Sequence, residues 1–163
     1  ASAVCEYVLD WLRGSGTQKV LIFAHHKGVL DSLEVAVAKE LKGAGHIRID
    51  GSVSSQDRAT RVNKFQTCSK IRVAILSMTA AGVGLTLTAA STVVFAELHW
   101  TPGVLAQAED RCHRVGQRDS VRVQYYVFKN TIDEWIAKSL VSCTQSMMSR
   151  IMYVINHSLE CVK

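Results

Sequence analysis

The chain has 163 residues, about one domain's worth, and is 48% hydrophobic and 20% charged, which excludes an intrinsically disordered class. One proline and ten glycines exclude collagen-like and proline-rich sequence, and no apolar run reaches the roughly 18 residues of a membrane span. The net charge of +5 suits a polyanion partner or simply a mildly basic surface.

In chain order, Val20-Leu21-Ile22-Phe23-Ala24 is the first short, continuous apolar run. Ile47-Arg48-Ile49 is a shorter strand candidate, and Val73–Leu76 and Val93–Ala96 repeat the continuous pattern. Such runs suit strands buried on both faces of a parallel sheet. Val121 to Phe128 alternates Val121, Val123, Tyr125 and Val127, which predicts a strand nearer an edge. Between the runs, Leu30, Leu33, Val37 and Leu41 follow helical spacing, with Gly43 as a stop. Ser54 with Asp57 opens a helix burying Ala59, Val62 and Phe65. Thr101-Pro102 reads as a cap followed by proline at the first helical position. Thr131 with Glu134 is a capping box for a helix packing Ile132, Trp135, Ile136 and Leu140. Beyond it, Met147, Met148, Ile151, Met152, Val154 and Ile155 could extend a helix. Strand–helix alternation predicts an α/β domain. The five cysteines are scattered and form no C-x-x-C pair, so neither a zinc site nor a disulfide framework is expected, and no metal site is assigned. The first residues carry no basic start followed by an apolar stretch, so no secretory signal is expected.

Open parallel sheets bind ligands beyond the carboxyl ends of their strands. After the first strand come His25, His26, Lys27 and Gly28, a phosphate contact or a solvated turn. After the second come Asp50, Gly51, Ser52 and Ser54, an anion site or an ordinary capped loop. After the third, Ser77 to Thr86 is a small-residue loop holding Thr79, Gly82, Gly84 and Thr86, where backbone can approach a ligand closely. It matches neither G-x-x-x-x-G-K-[ST] nor G-x-G-x-x-G, and the sequence has no Walker A loop. Gln107, Arg111 and Arg114 share one face of a helix whose adjoining face is Leu105, Ala108, Cys112 and Val115. Two arginines on a core-anchored helix suit directed contact with a phosphoryl group, or pairing with Glu109 and Asp110 on a solvated face. Trp100 reads as a core cap or as a wedge against a base or sugar.

The blocks Val20–His26, Arg48–Arg58, Ile75–Ser91 and Thr92–Gln117 stand in an order that resembles the second motor lobe of superfamily-two helicase-type ATPases. More narrowly they are similar to the Swi/Snf-type DNA translocases, over roughly residues 18–135. Phe23-Ala24-His25-His26, Ile47 to Ser52 and Val94 to Leu98 are similar to the annealing helicases of the HARP and zinc-finger RAN-binding types. The resemblance implies a RecA-like fold, a central mostly parallel sheet with helices on both faces. It implies that Arg111 and Arg114 are arginine fingers supported by Gln107, and that Gly82, Gly84 and Thr86 couple nucleotide to DNA. It implies that His25, Ser52, Thr79 and Trp100 lie at or near a DNA track. It also implies ATP with Mg²⁺ bound mainly by a first RecA-like lobe outside this chain, and a nuclear setting. On that basis residues 1–17 are a helix or linker from the first lobe, 18–132 the second lobe, and 133–163 a C-terminal helical extension.

Two departures stand out. Thr101 occupies the middle of the family's usual Trp-Asn-Pro, and Thr86 stands where the wider family often has asparagine. The expected function is therefore the C-terminal lobe of an ATP-dependent DNA translocase or annealing helicase in fork remodelling or repair. A helicase-like DNA-binding module without turnover and the second lobe of an RNA helicase are the alternatives.

Overall fold

The structure, a computed structural model, describes residues 2–41, 45–81, 85, 87–110, 121–128, 130–143, 151–155 and 158–161. The elements run α1 (Ser2–Gly14), β1 (Val20–Ala24), α2 (Lys27–Glu40), β2 (His46–Ile49), α3 (Ser55–Thr67), β3 (Val73–Ser77) and α4 (Met78–Ala81). They continue with β4 (Thr92–Phe95), α5 (Pro102–Asp110), β5 (Arg122–Phe128), α6 (Ile132–Cys143), β6 (Ile151–Ile155) and β7 (Ser158–Cys161). The sheet has seven strands in the order β2-β3-β1-β4-β5-β6-β7. All neighbours are parallel except the antiparallel pair β6 and β7.

Every residue of β1, β3 and β4 is buried, as continuous apolar runs in a covered parallel sheet require. Alternate residues supply two cores. One face carries Leu21, Phe23, Leu76, Val93, Phe95 and Tyr125 against Phe65 of α3, Leu105 and Ala108 of α5, and Ile136 of α6. The other carries Val20, Ile22, Ile75, Val94 and Tyr126 against α1 and α2. Residues 1–17 thus hold a helix whose Val4, Val8 and Leu12 are buried in this second core.

The local signals for helix starts act as expected, with one shift. Ser54 caps α3, its Oγ accepting from the Asp57 N–H at 3.1 Å. At α6 the Glu134 carboxylate reaches the Asn130 N–H at 3.2 Å, one residue earlier than the Thr131 amide a capping box would use. Asn130 sits at φ 60°, in the left-handed region, which turns that amide toward the helix. Several expectations are corrected: Ala59 on α3 is exposed and Val62 is only half-buried, and on α6 Ile132 and Trp135 are 62% and 65% exposed and do not join the core. β5 is not near an edge: it lies between β4 and β6, and Gln124 to Val127 are buried. The C-terminal extension is a helix over Ile132–Cys143, but Ile151–Ile155 and Ser158–Cys161 are strands. Ile-Met-Tyr-Val-Ile is rich in β-branched and aromatic residues, and an exposed parallel β5 offers it a ladder of backbone partners. The expected stop at Gly43 lies outside the described residues.

Phe95 stacks on Phe23 at 5.2 Å between centroids and on Tyr125 at 4.6 Å, all three fully buried. Replacing Phe95 by alanine should cost about 3–5 kcal/mol, read as a lower midpoint in urea unfolding. A loss below about 1 kcal/mol would mean that the three rings are not a packed unit.

Candidate nucleic-acid interface

Three loops leave the carboxyl ends of β1, β2 and β3 side by side. The cleft between them has a volume of about 250 Å³ and is lined by His25, Lys27, Ser52 and Thr79, among others. The structure therefore brings together three of the four residues expected at the DNA track. Their alignment follows from register, since Ala24 pairs with Ser77 and Ile49 with Leu76.

Each loop is held by its own hydrogen bonds. In the second, Asp50 Oδ1 accepts from the Ser52 N–H at 2.9 Å and from its hydroxyl at 2.6 Å. Asp50 Oδ2 accepts from Arg48 Nε at 2.8 Å, and Arg48 Nη1 donates to Asp31 and Glu34, each at 2.7 Å. The Ser52 hydroxyl hydrogen is thus directed at Asp50, so an anion would have to displace that bond to receive it. In the third loop the Ser77 and Thr79 hydroxyls lie 2.9 Å apart. In the first, the Glu97 carboxylate from the end of β4 accepts from the His25 and His26 N–H groups at 2.7 and 2.8 Å. His26 Nδ1 lies 2.7 Å from the other Glu97 oxygen, and since a carboxylate only accepts, Nδ1 carries the proton.

Trp100 does not line this cleft. It is 58% exposed, which removes the core-cap reading, and packs edge-on against Trp135 at 5.8 Å. The His25 ring meets the His99 ring at 5.4 Å, so Trp100 lies one residue along the chain from the loop that borders the cleft. Gln107 is exposed on α5, whose Leu105 and Ala108 are fully buried. Gly82, Gly84, Thr86, Arg111 and Arg114 lie outside the described residues. Among the described residues no group of three His, Cys, Asp or Glu side chains is arranged to hold a metal ion.

Known proteins match the chain in sequence and in overall fold. The family described as the helicase conserved C-terminal domain matches residues 2–116. The chain belongs to this helicase family. Over 136 residues it is 57% identical to the Caenorhabditis elegans homolog of SWI/SNF-related matrix-associated actin-dependent regulator of chromatin subfamily A-like protein 1, covering 82% of the chain and 19% of the relative. Over 133 residues it is 50% identical to the human DNA annealing helicase and endonuclease ZRANB3, covering 82% of the chain and 12% of that protein. The C-terminal part of the Fun30 ATPase domain superposes with a TM-score of 0.75 at 34% identity, over 83% of the chain and 43% of that structure. The chain thus spans under a fifth of the curated relatives named here. The Swi/Snf-type, annealing-helicase resemblance and the RecA-like fold both stand.

Sequence reasoning singled out His25, Ser52 and Thr79 but gave no role to Glu97, did not foresee that Asp50 anchors the Ser52 loop, and packed Trp135 into the core although it is exposed. Glu97 follows directly on the fourth apolar run, where the strand-end rule applies as well as it does to His25.

Two carboxyls should leave opposite marks on acid stability. The bonds from Ser52, with Arg48 behind them, hold the Asp50 carboxyl below its usual range. Its contribution is present above the unfolded value of about 3.9 and is lost as pH falls through the folded one. Burial pushes the Asp133 carboxyl up, with Glu97 adding to it against a backbone hydrogen bond from Phe128. Its contribution is present below the unfolded value and is lost as pH rises. In urea unfolding from about pH 6 to about pH 2, the deficit of Asp50→Asn against wild type should shrink, whereas Asp133→Asn should fall behind as the pH drops. Parallel pH profiles for wild type and both variants would contradict these assignments.

Proposed function

We propose that this chain is the C-terminal motor lobe of an ATP-dependent DNA translocase of the annealing-helicase kind, acting in fork remodelling or repair in the nucleus. The observation that carries the reading is the cleft at the ends of β1, β2 and β3, where His25, Lys27, Ser52 and Thr79 converge in a helicase C-terminal domain. In this reading these side chains meet the phosphate backbone, so contact is independent of sequence and weakens with salt. Trp100, paired with Trp135 on the neighbouring surface, offers an aromatic face to the same polymer.

ATP with Mg²⁺ is held mainly by a first RecA-like lobe outside this chain, and when bound it supplies the phosphoryl group whose transfer powers movement. Gln107 fits a role toward it, as an exposed amide on a helix anchored by Leu105 and Ala108. Arg111 and Arg114 follow on the same chain segment and are assigned to stabilise charge on the transferring group. Gly82, Gly84 and Thr86 are assigned to couple that site to the DNA.

The test is DNA-stimulated ATP hydrolysis by the two-lobe protein. Duplex or forked DNA should stimulate the wild type, and Arg114→Ala should lower turnover by about a thousandfold while still binding DNA. Arg111→Ala should behave alike, and the double variant should add little, because such residues act as a unit. A wild type that binds DNA without turnover is a binding module instead, and stimulation by single-stranded RNA alone would make it an RNA helicase lobe.

A further inference from the structure

We propose that Glu97 is a positioning residue, whose carboxylate holds the β1–α2 loop so that His25 and Lys27 face the cleft. The proposal rests on the reading of that cleft as a DNA-contacting surface.

The last ladder bond between β1 and β4 runs from the Ala96 N–H to the Phe23 carbonyl at 2.8 Å. Glu97 is the first residue beyond it, and its side chain crosses to the neighbouring loop. There it meets three donors: the His25 N–H, the His26 N–H and the His26 Nδ1–H, all within 2.8 Å. These are charge-assisted bonds, about twice as strong as neutral ones. His26 is the N-cap of α2, yet its side chain caps no amide of that helix. Glu97 instead brings negative charge to the helix's positive end, where it is favoured. With Glu97 at 20% exposure, the bonds lie at the cleft margin and not in either core. The same loop continues toward α5: the His99 ring packs on that of His25, and His99 Nδ1 accepts from the Thr101 N–H at 3.1 Å. Pro102 then begins the helix that carries Gln107. Nothing else among the described bonds holds the His25 and His26 amides.

Two variants separate positioning from folding. In Glu97→Ala, amide exchange at His25 and His26 should quicken by on the order of tenfold or more, while Leu21 to Phe23 stay protected. In the two-lobe protein the same variant should bind duplex DNA about tenfold more weakly, with hydrolysis at saturating DNA within about twofold of wild type. Glu97→Gln should keep both properties near wild type, because its amide oxygen accepts the two N–H groups and its NH₂ suits the other tautomer of His26. Wild-type DNA affinity in Glu97→Ala despite released amides would overturn the proposal. So would Glu97→Gln proving as weak as Glu97→Ala, or loss of protection throughout β1. A wild type without DNA-stimulated hydrolysis would sink the motor reading alone, since amide exchange and DNA affinity still decide what Glu97 does.

Discussion

The constraint on which the site depends is strand register. Phe23 pairs with Phe95 and Phe95 with Tyr125, and their rings stack in the same order on one face of the sheet. A slip of one residue would turn each ring to the opposite face, where α1 and α2 pack on Ile22, Val94 and Tyr126. The two cores therefore lock the strands against each other lengthwise. Their carboxyl ends finish level, and the residues just beyond them, His25, Asp50, Met78 and Ala96, begin their loops along one edge. The cleft is a consequence of that levelness.

At this edge the polar chemistry is divided between anchors and presented groups. Asp50 and Glu97 each accept several donors from a loop, and neither is left free to repel an anion at full strength. Arg48 is 12% exposed and committed to Asp31, Glu34 and Asp50, so it contributes little outward field. Among the described residues, Lys27 and His25 are the basic side chains that line the cleft. Such a surface presents little positive field, in keeping with the chain's small net charge of +5.

Much of this was legible in the sequence. Continuous apolar runs located β1, β3 and β4 because burial on both faces leaves no room for alternation. Ser54 and Asp57 located the start of α3, since capping is a local interaction. β5 misled for a tertiary reason: its alternation reads as an edge, but β6 covers that edge from more than twenty residues away. The C-terminal strands were hidden likewise, since their apolar residues fit helix or strand equally and only the open ladder of β5 decides between them. The strand-end rule pointed to the loops that hold His25, Ser52 and Thr79, and the family resemblance picked out these residues within them. Glu97 was passed over because one acid after a strand carries no motif, and its three donors come from a loop some seventy residues earlier.

β4 and the chain just beyond it tie several parts of this edge together. Its Phe95 joins the aromatic stack, and Glu97, just past its end, holds the β1 loop at the cleft. Three residues further on, Trp100 stands exposed, and Pro102 opens the helix whose Leu105 and Ala108 are sunk in the core. That helix cannot shift far without disturbing the packing of Leu105 and Ala108 beneath it, because close-packed interiors transmit displacement and do not absorb it. Glu97 and Gln107 are therefore joined by a short stretch of chain, tied to the β1 loop through Glu97 at one end and seated in the core through Leu105 and Ala108 at the other.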